Sequence, residues 1–157
     1  MSQPYYFCSM GIDKDIQQSH FRNDYQKAAI NLIFSAGWLQ EKIRNFLEPF
    51  DLTPQQFNIL RILRGHQCPL STLQIRDRML DKMSDTSRMV DRLIKKGFVE
   101  KKTCPSDKRL VDVTISEKGL QLLEEIDRQE DAMDKFMGNL NLADAGSLSN
   151  LLDKMRE

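Results

Sequence analysis

Apolar residues recur every three or four positions from Asp24 to about Glu48: Tyr25, Ala28, Leu32, Leu39, Ile43 and Phe46, with Ser35 in the same row. That is the period of an α-helix, and no proline interrupts it before Pro49, so one helix longer than ~30 Å is predicted. A helix of that length in a small protein has room for a second client, such as a partner subunit. In "DLTPQQFNILRILRG", Phe57, Leu60 and Leu63 form the next apolar row. Thr53 is placed as its N-cap, Pro54 as the first helical residue, Gln56 as the capping-box partner and Gly65 as its end. "CPLSTLQIRDRML" repeats the device with Ser71 and Gln74 around Leu73, Ile75, Met79 and Leu80.

On a helical wheel drawn from Ser84 to Lys96, Thr86, Met89, Val90, Leu93 and Ile94 fall on one side. Ser84, Arg88, Asp91 and Lys95 fall on the other, with Ser87 and Arg92 on the flanks. Asp91 stands four before Lys95, the spacing of an intrahelical ion pair. The period then changes to two. "FVEKK" and "RLVDVTI" alternate as half-buried strands do, and Cys104-Pro105-Ser106-Asp107 supplies turn residues between them. A helix capped at Ser116 follows, with a stripe of Leu120, Leu123, Ile126, Met133 and Met137. Asn141 caps a last one carrying Leu148, Leu151, Leu152 and Met155. No repeat or low-complexity segment occurs.

Charge changes this picture more than composition does. The 157 residues hold 23 basic and 23 acidic side chains, but they are segregated. Residues 76–109 carry 11 basic and 6 acidic residues, and residues 110–157 carry 5 and 11. A net-neutral chain with a positive middle can steer a polyanion. The length suits one domain. No apolar run is long enough to span a membrane, and the start lacks the pattern of a signal peptide, so a cytoplasmic protein is expected. Cys8, Cys68 and Cys104 are odd in number and lack CxxC spacing, which argues against a disulfide framework. "HQC" at 66–68 reads as solvated loop residues rather than a metal set. No cofactor is expected.

The order of elements is that of a winged helix-turn-helix: three short helices, then a hairpin as the wing. The expected fold is mainly α with a small β-hairpin wing. A major groove ~12 Å wide admits one helix, whose hydroxyls and arginines can meet base edges. Ser84, Asp85, Ser87, Arg88 and Arg92 are the candidates on that helix. On the wing they are Lys101, Asp107, Lys108 and Arg109. Arginine suits the negative potential of a narrow minor groove, and Asp107 is placed to hold the Arg109 guanidinium. Alone, a basic helix face is an ordinary solvated surface, and a lysine-rich hairpin can merely blunt a sheet edge. Adjacent and in this order, they point to double-stranded DNA.

At "FDLTPQQFNIL", "STLQIRDRML", "SRMVDRLIKKGFVEKK" and "PSDKRLVDVTISEKG" the chain resembles the MarR family, bacterial repressors of the multiple-antibiotic-resistance type. The Asp107-Lys108-Arg109 triplet followed by "SEKG" is the most specific part. The resemblance implies one domain over 1–157, with a DNA-binding lobe at 52–115. It implies N- and C-terminal dimerisation helices at 24–49 and 116–157. It also implies a homodimer that represses from a palindromic operator, sometimes relieved by a small lipophilic or phenolic effector. Ser87 and Arg88 match the family's Thr/Ser-Arg, and Thr86 stands where valine is frequent. Lys101 replaces a frequent arginine, so a bidentate contact is lost there but a phosphate contact is not. Asp85 stands where Thr or Ser is frequent. It either accepts from cytosine N4 or sits as a favourable first-turn carboxylate, the preferred reading.

Cys8 beside Tyr5 and Tyr6 suggests a redox sensor, but the sensing cysteine of the organic-hydroperoxide type would fall near Ala29. Cys104, among lysines, is the better thiol to test. Phe34, Trp38 and Phe57 read as core rather than as a ligand pocket. One alternative stays open: a winged-helix module binding an acidic protein. An enzyme is disfavoured, since the chain has no phosphate loop, nucleophile elbow or paired metal ligands.

Overall fold

The computed structural model describes residues 11–66, 68–103 and 111–157. The chain divides into two compact units, residues 1–41 and 42–157. The first holds α1 (Gly11–Asp15), which the sequence reading did not anticipate, and most of α2 (Asp24–Leu47). Among the described residues of this unit, Ile12 is the buried apolar one. The 24 residues of α2 end in a 3₁₀ turn at Glu48–Phe50, where Pro49 cannot continue the α-helical ladder.

The second unit contains α3 (Pro54–His66), β1 (Leu70–Ser71), α4 (Thr72–Arg78), α5 (Thr86–Lys96), β2 (Val99–Thr103) and β3 (Val111–Ile115). It continues with α6 (Glu117–Asp127), α7 (Glu130–Asp134), a 3₁₀ turn at Lys135–Met137 and α8 (Leu142–Lys154). The sheet is antiparallel in the order β1-β3-β2, with Leu70 opposite Val113 and Val99 opposite Ile115. The core is contributed by every layer: Leu47, Ile59, Leu60, Leu63, Leu70, Ile75, Leu93, Val113, Leu123 and Ile126 are all buried. Phe57 belongs to this core, as expected.

The caps explain where the helices begin. Thr53 Oγ1 accepts from the Gln56 N–H (3.2 Å) while Gln56 Oε1 accepts from the Thr53 N–H (3.1 Å). Ser71 and Gln74 make the same reciprocal pair, and Ser116 and Asn141 cap α6 and α8. Such pairs satisfy N–H groups that the first helical turn leaves without partners.

Three expectations need correction. The helix expected from Ser84 begins two residues later, because Asp85 and not Ser84 caps it. The single helix expected after Ser116 is broken: the Gln129 N–H donates to Ile126 O (2.9 Å), a tightened turn that ends α6. Around this break Asp127 ion-pairs with Arg64 of α3, and Phe136 meets Phe46 edge-on at 6.2 Å. Residues 70–71, read only as a helix start, also form the short strand β1.

Candidate nucleic-acid interface

The turn between α4 and α5 brings the amphipathic α5 into place. Its inward row is fixed by burial of Thr86, Val90 and Leu93. Ser87, Arg88, Asp91, Arg92 and Lys95 are exposed. Both ends of α5 are closed. At the start, Asp85 Oδ1 accepts from the Arg88 N–H at 3.1 Å, and Asp85 Oδ2 lies 3.2 Å from Arg88 Nε. At the end, Gly97 takes φ 78°, a left-handed conformation that costs glycine little, and its N–H returns to Ile94 O at 2.9 Å. The Ser116 hydroxyl donates to Gly97 O (2.7 Å) and accepts from the Gly119 N–H (3.1 Å), joining the end of α5 to the start of α6. Lys118 adds a contact to Lys96 O (2.9 Å) and lies over the Phe98 ring at 4.8 Å.

Ser84 does not share the exposed face. It precedes α5, and its hydroxyl oxygen is shut off from solvent with no hydrogen-bond partner among the described residues. The wheel misplaced it by assuming that the helix began there. Asp107, Lys108, Arg109 and Cys104 of the hairpin turn, and Cys8 with Tyr5 and Tyr6, lie outside the described residues.

Lys101, the first basic residue of β2, is tied to α5. Its Nζ donates to Asp91 Oδ1 at 2.7 Å. The i,i+4 partner expected for Asp91, Lys95, contributes only a weaker through-space attraction. The Lys101 hydrogen bond and charge hold the Asp91 carboxyl below its ordinary value. A depressed folded-state pKa means this pair supports the fold above the ordinary carboxylate range. That support is lost as pH falls through the lowered value, so neutral solution retains the bridge. Being exposed, it contributes little to stability; its effect is to occupy a cation.

A prediction follows from that occupancy. Asp91→Asn releases Lys101 to meet phosphate, so the slope of log affinity against log salt steepens by about one per lobe. Fluorescence anisotropy over a salt series measures it, and an unchanged slope would show that Lys101 already reaches the backbone.

Arg44 of α2 lies near α5 in a way the sequence does not signal. It lines a cleft of about 680 Å³ together with Glu48, Thr53, Gln56, Arg92 and Lys95. Arg44 stands 48 residues before Arg92, so no local spacing links them.

The MarR family model matches residues 52–111. The multiple antibiotic resistance protein MarR of Salmonella typhimurium is 29% identical over 79% of this chain and 88% of its own. The structure of a MarR mutant from Escherichia coli complexed with operator DNA superposes with a TM-score of 0.74. It is 25% identical over 87% of this chain and 99% of that one. A MarR transcription factor from Planctomyces limnophilus has a TM-score of 0.65 and 30% identity over 87% and 98%. No helix among the described residues is long and apolar enough to cross a membrane. With its winged helix-turn-helix lobe, the chain belongs to the MarR family of transcriptional regulators, which are not enzymes.

Proposed function

We propose that this regulator is a homodimeric repressor that binds a palindromic DNA operator through α5 and the wing, and that a small lipophilic or phenolic effector releases it. The observation that carries the reading is the exposed row of Ser87, Arg88 and Arg92 on α5, followed in the chain by the antiparallel pair β2 and β3. The likeness to a MarR chain complexed with operator DNA supports the same contact here. Asp107 is assigned to hold Arg109, which reaches the minor groove, while Lys108 meets phosphate. Residues 52–115 form the DNA-binding lobe in this reading. Residues 24–49 and 116–157 form the dimerisation region. Apolar side chains left exposed on these helices support the second assignment: Tyr25 and Ile33 on α2, and Leu142 and Leu151 on α8, are all more than half exposed. Burying such side chains in a partner is favourable by about 1.5–3 kcal/mol each when complete.

The test is selection from a random-sequence duplex pool. Enrichment of an inverted repeat with half-sites about one helical turn apart is expected. No enrichment, together with retention by an acidic protein partner, would favour the interaction-module alternative. Arg109→Ala is expected to weaken binding to the selected duplex with the melting temperature unchanged. Equal affinity for both proteins would remove the wing from the interface.

A further inference from the structure

We infer that Asp85 is a positioning residue that holds Arg88 for end-on recognition of a guanine in each half-site. The inference rests on the reading of α5 as the groove-facing helix. Both carboxylate oxygens of Asp85 are committed to the same residue. One takes the Arg88 backbone N–H at 3.1 Å and the other faces Arg88 Nε across 3.2 Å. The first contact caps the helix. The second has no capping purpose, because Nε belongs to the side chain. It is an ion pair that draws the guanidinium toward the start of α5 and restricts its rotamers.

What remains is chemically specific. With Nε facing the Asp85 carboxylate, the two terminal nitrogens of Arg88 are left as a parallel pair of donors without a hydrogen-bond partner among the described residues. Guanine offers two adjacent acceptors, N7 and O6, to such a pair in the major groove; adenine offers one acceptor and one donor, so it cannot satisfy both. The carboxylate has a second effect. It offsets the Arg88 charge and repels phosphate, so the side chain gains less by folding back onto the DNA backbone. Arg88 is strongly exposed, at 80%, and without a brace it would lose rotamer freedom on binding. Asp85 removes part of that loss beforehand.

Asp85→Asn separates the two roles. Asparagine caps helices as well as aspartate does, so α5 keeps its start. It lacks the charge, and once its oxygen serves as the cap, its remaining group is a donor that cannot accept from Nε. The probe is the duplex that the wild-type protein selects from a random pool, with each G·C pair replaced in turn by A·T. Arg88→Ala is expected to flatten the preference at one G·C pair per half-site. Asp85→Asn is expected to reduce discrimination at that same pair by roughly two- to threefold, the worth of an exposed ion pair. Its affinity for non-specific duplex should not fall, and its melting temperature should match the wild type. Adding Asp85→Asn to Arg88→Ala should change discrimination no further.

Full discrimination retained by Asp85→Asn would overturn the inference. So would a change in base preference that persists in the Arg88→Ala background, because Asp85 would then read a base itself. If Arg88→Ala leaves every base preference intact, the assignment of α5 as the reading helix fails, and this inference fails with it. Asp85→Ala, which removes cap and brace together, should lower the melting temperature as Asp85→Asn does not.

Discussion

Raising the salt concentration from about 50 to about 200 mM is expected to weaken operator binding about a thousandfold. The magnitude follows from which cations are free. Lys101 is engaged by Asp91 and Arg88 by Asp85. Lys96 lies 2.9 Å from Asp51. Arg92 and Lys95, exposed on α5, have no salt bridge among the described residues, and Lys108 is assigned to phosphate at the wing. Three contacts in each lobe of a dimer neutralise about six phosphates. Each releases about 0.9 counterion from duplex DNA, so log affinity should fall with log salt at a slope near −5. A slope shallower than about −2 would mean that the basic block of residues 76–109 is not the DNA contact. The neutral total charge of the chain makes this a demanding test, since no bulk attraction substitutes for the local one.

Gly119→Ala is expected to lower the melting temperature by roughly 2–8 °C. Alanine is the better helix former by about 1 kcal/mol, so propensity alone argues for stabilisation. Space argues the other way. A Cβ at this position would lie 2.3 Å from Phe98 O and 2.8 Å from Ile115 Cγ1. The carbonyl cannot swing aside, because Phe98 O already accepts from the Ser116 N–H at 3.0 Å. Overpacking against fixed atoms costs about 1–3 kcal/mol and occasionally more, which outweighs the propensity gain here. Gly65→Ala is the control: an added Cβ there meets nothing within 4 Å, so no loss is expected. Equal melting temperatures for Gly119→Ala and the wild type would show that β2 and α6 are less tightly seated than their hydrogen bonds indicate.

The parts of this molecule that could be read from sequence are those governed by neighbours three or four residues apart. Thr53 with Gln56, Ser71 with Gln74, Ser116 and Asn141 were placed as caps because a cap is a local hydrogen bond. The inward row of α5 was legible for the same reason. Failures fell where distant residues decide. Leu70–Ser71 becomes a strand only because Val113 and Asp112 lie alongside. Asp91 prefers Lys101, ten residues away across the turn into β2, over Lys95 on its own helix. The break after Asp127 has no glycine or proline to announce it. Gly119 was recognised as part of a motif, but its reason, the approach of Phe98 O, exists only once β2 is in place. At the interface, Asp85 had two open readings, and neither anticipated that both of its oxygens would face Arg88.

The closure at the C-terminal end of α5 bears on how such a protein can be switched off. Sliding the helix along its axis, or turning it about that axis, would break the Gly97–Ser116 link. Losing one such hydrogen bond costs about 0.5–1.5 kcal/mol, and the buried Thr86, Val90 and Leu93 would have to leave their seats as well. Carrying the lobe as a rigid body breaks none of these. In the proposed dimer, a change of spacing between intact lobes would release DNA without breaking these contacts.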